Sequence, residues 1–172
     1  MSQSIYSGEK AAEYALRYAL VPNPSYQYFS SHGDGGGDCT NFISQCLHAG
    51  GAAMAFGTSS PWWYNNMGTS QTDDDKHSIS WAVANSLYWA LRTRYEKKIP
   101  GIKAQEVDDL GLLRIGDIIQ YENIGGAIYH SAIITSFWFG LPLITQHTYN
   151  AANISYIKSA AYKMHFMKII VD

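Results

Sequence analysis

The sequence predicts an α+β protein in which N-terminal helices pack on a C-terminal antiparallel β-sheet. Up to about Lys97, apolar residues recur at the spacing of amphipathic helices in three segments, and the pattern loses its period between Gly51 and Ser80. The last third is instead dominated by runs of β-branched and aromatic residues, which are typical of strands. Because the helical segments precede the strands and do not alternate with them, an antiparallel sheet is favoured over a parallel, doubly wound one.

The individual elements follow from local signals along the chain. Helices are expected over residues 6–20, 39–49 and 81–97. The stop signals are prolines at 22 and 24 for the first helix, a Gly-Gly pair at 50–51 for the second and a Pro-Gly pair at 100–101 for the third. Ser80 can cap the third helix. A helical or turn segment is expected over 104–110. Strands are expected over residues 118–121, 129–139, 143–148, 155–157 and 164–171.

Length and composition limit the classes of function. At 172 residues, the chain is expected to form a single domain, 1–172, that can bury a real core. Its formal net charge of −2 and pI near 6.3 give no basic surface for nucleic acid or for an anionic membrane. Two cysteines, with no CxxC spacing, predict neither a disulfide framework nor a zinc site.

Neither a secretory leader nor a membrane span is expected in this sequence. The N-terminal residues MSQSIYSGEK lack a basic stretch followed by an apolar one, and no apolar run approaches about 18 residues. A secreted protein whose leader had been removed would show the same pattern. The compartment therefore stays open between an extracellular or cell-wall location and the cytoplasm.

The stretch GGDCTNFISQCLHAGG, residues 36–51, contains the candidate nucleophile. Asp38 is a good N-cap residue, which places Cys39 at the start of a helix. Thiolates are the reactive form of cysteine, and the positive end of a helix dipole favours them. Cys46 falls in the apolar stripe of the same helix and is expected to be a packing residue. Cys39 is therefore the candidate nucleophile.

The same stretch resembles the signature of the Putative amidase domain family, a branch of the papain-like cysteine hydrolases related to NlpC-type and CHAP-type cell-wall peptidases. The resemblance continues in Trp62-Trp63-Tyr64, Gly116-Asp117, His130-Ser131 and Gln146-His147-Thr148, in the family's order, and spans nearly the whole chain. It implies a papain-like fold and an amidase or peptidase that needs no metal or organic cofactor. Bacterial cell-wall peptides are the implied substrate class and partner. The oligomeric state stays open.

A cysteine nucleophile needs an imidazole that takes its proton and a group that orients this imidazole. His130 is the candidate base, because it follows a turn and opens a strand, and the resemblance supports that role. NlpC-type relatives mostly use a second histidine as the orienting group, which makes His147 the candidate and Asn150 the alternative. Gln146 is expected to face the opposite side of its strand from His147.

The expected reaction is acyl transfer. A Cys39 thiolate paired with a His130 imidazolium attacks an amide carbonyl, and water then hydrolyses the thioester. The backbone N–H of Cys39 is the natural donor to the oxyanion, and His32 and Asp38 are considered for the second donor.

Three tryptophans are candidates for a substrate groove, since aromatic rings with a polar edge suit a peptide or sugar chain. They are Trp62, Trp63 and Trp81. Two other functions are kept as alternatives. The first is a catalytically silent binding module of the same fold. The second is a metal-dependent hydrolase that would use His32, Asp34, Asp38 and His48.

Overall fold

The computed structural model describes residues 6–30, 36–57 and 59–172. Its helices are α1 (Gly8–Tyr18), α2 (Cys39–Ala49), α3 (Ile79–Ala82) and α4 (Ala84–Glu96), with a 3₁₀ turn at Leu110–Leu112. The helices precede the main sheet, so the expected α+β class is confirmed. In the described part of the chain, no helix combines the length and the apolar character that crossing a bilayer requires.

The third predicted helix is divided into two. Val83 adopts an extended conformation, with φ −114° and ψ 121°, between α3 and α4. Ser80 lies inside α3 and is not its cap; its hydroxyl donates to the carbonyl of Pro61. The expectation of one continuous helix capped by Ser80 is therefore wrong, because the backbone turns at Val83.

The eight strands in the described part of the chain form two antiparallel sheets. A small sheet pairs β1 (Tyr64–Asn65) with β2 (Lys76–His77). The main sheet has the order β3-β8-β4-β5-β6-β7, and all its neighbours are antiparallel. Its strands are β3 (Ile102–Val107), β4 (Ile118–Glu122), β5 (Ile128–Trp138), β6 (Leu141–Gln146), β7 (Ala151–Ser155) and β8 (Lys163–Val171).

One edge of the main sheet was not expected. The segment predicted as helix or turn over 104–110 is largely strand β3, whose residues from Ile102 to Val107 pair with β8 in continuous register. The sequence IKAQEV mixes strand and helix formers, so local preference alone does not decide its structure. Pairing with β8 decides it.

The main sheet separates two apolar clusters. Neighbouring residues such as Ile118 and Ile119 belong to different clusters, as expected for side chains that alternate between the faces of a strand. The larger cluster includes the buried faces of α1, α2 and α4, and all nine residues from Cys39 to Leu47 are buried. Helix α2 is thus fixed inside the protein, and its first turn lies against the sheet.

Close backbone contact fixes α1 to the sheet. Gly116 has a φ of +90°, and a Cβ atom there would lie 2.2 Å from the Cα of Gly8. The hydroxyl of Tyr6 donates to the carbonyl of Gly116 at 2.8 Å. Glycine is therefore required at position 116 both for its conformation and for the approach of α1.

A buried polar network joins three strands away from α2. His165 on β8 hydrogen-bonds to Glu106 on β3 and, at 2.6 Å, to Glu122 on β4. Tyr88 donates to the second oxygen of Glu106 at 2.7 Å. Burial raises the pKa of Glu106, but the hydrogen bonds from Tyr88 and His165 and the charges of His165 and Arg92 outweigh it, so the pKa is lowered overall.

The lowered pKa predicts a pH-dependent contribution of Glu106 to stability. A carboxylate with a depressed folded-state pKa stabilises the protein above its unfolded-state pKa of about 4.3, and this stabilisation is lost as pH falls through the folded-state value. We therefore expect Glu106→Gln to lower the free energy of unfolding at pH 7 and to have a much smaller effect near pH 3.5. Urea unfolding at pH 7, 5 and 3.5 measures this. A penalty that does not change with pH would exclude the charge as its cause.

Candidate active site

A glycine turn places the start of α2 against the loop that follows β6. Gly36 and Gly37 have φ angles of +67° and +85°. A Cβ atom on Gly37 would lie 2.3 Å from the hydroxyl oxygen of Thr148. The backbone N–H of Asp38 donates to the same oxygen at 3.0 Å. Glycine at position 37 thus lets the chain pass Thr148 immediately before Cys39.

Asp38 does not cap α2 with its side chain. It has φ −95° and ψ 2°, outside the extended conformation typical of N-caps, and no side-chain cap bond forms. Its carboxylate instead accepts from the backbone N–H of Phe29 at 3.1 Å, from the Asn41 amide at 2.8 Å and from His147 at 2.5 Å. The predicted side-chain capping role is therefore wrong. Asp38 instead joins α2 to the segment containing Phe29 and to His147, after β6.

The sulfur of Cys39 lies at the junction of α2 and β5. It is 3.6 Å from the Thr40 hydroxyl, and the backbone N–H of Ser131 hydrogen-bonds to it. The Thr40 and Ser131 hydroxyls are 3.1 Å apart, which ties the two elements together. The β5–β6 pairing begins at Ile133, so Ser131 lies beyond that ladder. The nucleophile candidate thus lies beside the residue that follows His130.

His130 is held by a glutamine. Its Nε2 atom is 2.8 Å from Oε1 of Gln146, while the Gln146 Nε2 group donates to the carbonyl of Tyr149 at 2.8 Å. The second bond fixes the orientation of the amide, because only its nitrogen can donate to a carbonyl. Oε1 therefore accepts from His130 Nε2–H, and in the neutral ring the Nδ1 atom carries the lone pair of a base.

Burial shifts the pKa values of the Cys39 thiol and of the His130 imidazole. It raises the pKa of Cys39; hydrogen bonds from Thr40 and Ser131 oppose this, and the charge of Asp38 adds to it. Burial lowers the pKa of His130 to about 4; the Gln146 bond opposes this, and the charge of Lys158 adds to it. Both shifts favour a neutral thiol and a neutral imidazole. The expected thiolate–imidazolium pair is therefore not the favoured resting state, because neither ion is well solvated there.

The low pKa of His130 predicts where activity is lost in acid. The base form of an unperturbed histidine disappears below about pH 6.5, whereas a ring with a pKa of about 4 stays neutral over two further pH units. We expect kcat/KM for amide hydrolysis to be maintained to about pH 5 and to fall below about pH 4 as His130 is protonated. Rates measured from pH 3 to 8, with circular dichroism at each pH to confirm folding, test this. An acidic limb centred near pH 6.5 would contradict the shift.

His147 lies in a different place from the one expected. Its Nδ1 atom is 2.5 Å from the Asp38 carboxylate, its Nε2 atom is 2.7 Å from the Tyr18 carbonyl, and its ring stacks on Phe42 with centroids 3.8 Å apart. Both ring nitrogens thus have partners other than His130. The residue that contacts the His130 ring is Gln146 and not His147, which instead joins α1, α2 and the end of β6.

The end of β6 explains why the neighbouring residues Gln146 and His147 contact different partners. Gln146 is the last residue of β6, and Thr148 and Tyr149 have φ angles of +56° and +66°. Gln146 and His147 contact different partners, as the expected alternation of side chains requires. Asn150, the alternative orienting residue, is exposed.

The expected tryptophan groove is not formed at Cys39. Trp62 and Trp81 are 0% exposed, with ring centroids 4.9 Å apart in the core, so neither lines a groove open to solvent. Their indole N–H groups are satisfied internally, by Ser44 and by Asn41. Trp63 is partly exposed and lines a surface cavity of about 570 Å³ whose lining does not include Cys39.

The metal-binding alternative gains no support from the described residues. Asp38 and His48 lie at opposite ends of α2, about 15 Å apart at 1.5 Å per residue, which is too far for one ion. His32 and Asp34, the other two residues of that set, lie outside the described residues. Within residues 6–30, 36–57 and 59–172, no group of three His, Cys, Asp or Glu side chains is arranged to hold a metal ion.

Besides Gln146, Tyr121 and Lys158 lie near His130 and were not assigned to the site from the sequence. Tyr121 pairs with His130 across β4 and β5, and their ring centroids are 5.5 Å apart. The ammonium group of Lys158 lies 5.2 Å from the centroid of the Tyr121 ring. The pairing of β4 with β5 could have indicated Tyr121 once the register was known, whereas no sequence signal indicated Lys158.

Comparison with known proteins identifies the family. The profile described as "Putative amidase domain" matches residues 5–170. The chain is 35% identical over 158 residues to "Uncharacterized protein YhbB" of Bacillus subtilis (strain 168), covering 88% of this chain and 45% of that protein. It is 33% identical over 158 residues to "Uncharacterized protein YjcM" of the same organism, covering 87% and 32%. The chain thus spans less than half the length of either relative.

No solved structure matches the chain. The family match includes Cys39, His130 and Gln146 and extends over nearly all described elements. Its description points to amide hydrolysis as the general activity. The chain belongs to the Putative amidase domain family.

Proposed function

We propose that this protein is a cysteine-dependent amide hydrolase in which Cys39 is the nucleophile, His130 the base and Gln146 the orienting residue. The observation that carries the proposal is the bond from His130 Nε2–H to Gln146, whose amide is fixed by the Tyr149 carbonyl. This bond leaves Nδ1 as the basic atom of His130. The next residue, Ser131, donates its backbone N–H to the Cys39 sulfur.

The resting state determines how the first step proceeds. Because Cys39 and His130 are favoured in their neutral forms, Nδ1 of His130 accepts the thiol proton while the sulfur attacks the amide carbon. The tetrahedral oxyanion lies at the start of α2, where backbone N–H groups of the first turn have no helical acceptor. Collapse of this intermediate breaks the C–N bond, and the His130 imidazolium gives its proton to the leaving amine.

The second step regenerates the enzyme. The thioester on Cys39 is attacked by water, from which neutral His130 removes a proton. The C–S bond then breaks, the sulfur regains the proton, and the carboxylic acid leaves. Throughout both steps, Gln146 accepts a hydrogen bond from Nε2–H and so stabilises the imidazolium without adding a charge.

The proposed substrates are bacterial cell-wall peptides, and the proposed fold is papain-like, related to the NlpC-type peptidases. The sequence resemblance at DCTNFISQCLHAGG and at the segments containing His130 and Gln146 supports both. An antiparallel sheet with the nucleophile helix packed against it is compatible with this relationship.

Hydrolysis of purified peptidoglycan fragments, followed by mass spectrometry, tests the proposal. We expect new amine and carboxylate termini, and we expect iodoacetamide at neutral pH to abolish their formation. Peptide mapping should place the carbamidomethyl group on Cys39 and not on Cys46. Burial raises the pKa of both thiols, but Cys39 is 4% exposed and hydrogen bonds from Thr40 and Ser131 oppose the rise, whereas Cys46 is 0% exposed and its pKa is raised well above the usual value. Equal, slow labelling of both thiols with full retention of activity would contradict the proposed nucleophile.

A further inference from the structure

Lys158 is held over the ring of Tyr121 by the segment that follows β7. The Tyr121 hydroxyl donates to the carbonyl of Tyr156 at 2.7 Å, which fixes this segment over the sheet. Two residues further on, the Lys158 ammonium lies 5.2 Å from the centroid of the Tyr121 ring. The Tyr121 ring lies 5.5 Å from that of His130, and the charge of Lys158 helps to lower the pKa of His130.

Lys158 is a cation without an anionic partner in the described part of the chain. Lys103 and Lys168 pair with Asp172 and Asp117, whereas no carboxylate of residues 6–30, 36–57 or 59–172 lies within ion-pair distance of Lys158. The side chain is partly buried, and burial lowers its pKa while the neighbouring Cys39 raises it. A partly desolvated ammonium is stabilised by an anion, and the aromatic face of Tyr121 supplies only part of that stabilisation.

We propose that Lys158 binds a carboxylate of the substrate next to the amide that Cys39 attacks. The substrate class is then a peptide with a free carboxylate close to the scissile bond, not any neutral amide. This inference rests on the proposed function, because it uses Cys39 to locate the scissile bond. In this proposal Lys158 determines substrate specificity, whereas His130 transfers the protons.

The expected change in kcat/KM follows from the type of interaction between Lys158 and the substrate carboxylate. Hydrogen bonds to charged groups contribute more than neutral ones, and a partly buried ammonium–carboxylate pair is expected to change kcat/KM about 10- to 100-fold. Because Tyr121 and the Tyr156 carbonyl already hold the segment, the ammonium needs little reorganisation on binding.

The experiment compares matched substrates and matched variants. N-acetylated peptidoglycan peptides are used with their carboxylates free or converted to carboxamides, and kcat/KM is measured for both with wild type, Lys158→Met and Lys158→Arg. Lys10→Met serves as the control, because Lys10 is an exposed lysine on α1. Binding of both peptides to the corresponding Cys39→Ala proteins is measured by calorimetry, so that affinity is read without turnover.

We expect wild type and Lys10→Met to prefer the free carboxylate about 10- to 100-fold. Lys158→Met should lose this preference while still hydrolysing the carboxamide, and Lys158→Arg should keep part of it. If Lys158→Met kept the preference, or lost kcat/KM equally on both peptides, the proposed carboxylate binding by Lys158 would be overturned and the proposed function would not. Full hydrolysis by the Cys39→Ala protein would instead overturn the proposed function, and the calorimetric comparison would still decide whether Lys158 binds the carboxylate.

Discussion

Replacing Cys39 with alanine is expected to abolish amide hydrolysis, with a loss in kcat of about 10³- to 10⁶-fold. The reason is that no covalent thioester can form without the sulfur, while His130 and Gln146 keep their bond. Because Cys39 is 4% exposed and lies at the edge of the core, a loss of one sulfur atom should leave the fold intact. Initial rates of peptide hydrolysis measure the loss of activity, and circular dichroism measures whether the fold is retained.

Cys46→Ala is the matched control for this variant. Cys46 lies seven residues along the same helix and is 0% exposed within the larger apolar cluster. We expect it to lower the free energy of unfolding by about 1 kcal/mol and to leave kcat unchanged. If Cys46→Ala abolished hydrolysis and Cys39→Ala did not, the assignment of the nucleophile would be wrong.

Gln146→Leu is expected to lower kcat by about 10²- to 10⁴-fold, with little change in KM. Leucine removes the acceptor that holds His130 Nε2–H, so the ring loses both its fixed tautomer and its orientation. Leucine also removes the donor to the Tyr149 carbonyl, so both hydrogen bonds of the Gln146 amide are lost. Steady-state kinetics with the amide substrate measures the loss.

His147→Ala distinguishes the two candidates for the orienting group. It breaks the pair of His147 and Asp38, whose side chains are each 1% exposed, and leaves the buried Asp38 carboxylate without this partner. The loss should lower the free energy of unfolding by about 3–5 kcal/mol. The kcat of the molecules that remain folded should fall far less than in Gln146→Leu. A stable His147→Ala protein without activity, combined with an active Gln146→Leu protein, would restore His147 as the orienting residue.

The sequence was sufficient to predict the elements whose signals are local. The glycine turn and apolar stripe around Cys39 defined α2, and the β-branched run containing His130 defined β5. These patterns depend on the period of each element, which the sequence displays directly. The α+β class followed from their order along the chain.

Other features depend on contacts that a single sequence does not display. Adjacent rings such as Trp62 and Trp63 carry no sign of which one the core will bury. Val107 and its neighbours became a strand because β8 pairs with them. The direction of the pKa shifts at Cys39 and His130 depends on burial, which only the packed structure provides. A helix start alone favours the thiolate, and here desolvation outweighs that effect.

Capture of the acyl-enzyme is the most direct measurement of the central claim, that Cys39 carries the acyl group of a cleaved amide. The protein is mixed with an excess of its peptide substrate, quenched in acid and digested, and the fragment containing residues 36–51 is weighed by mass spectrometry. A hydroxylamine-sensitive acyl adduct on Cys39, present in wild type and absent from Cys39→Ala, is the predicted result. Rapid hydrolysis by a protein whose Cys39 never acquires an adduct, and whose Cys39→Ala variant remains active, would contradict it.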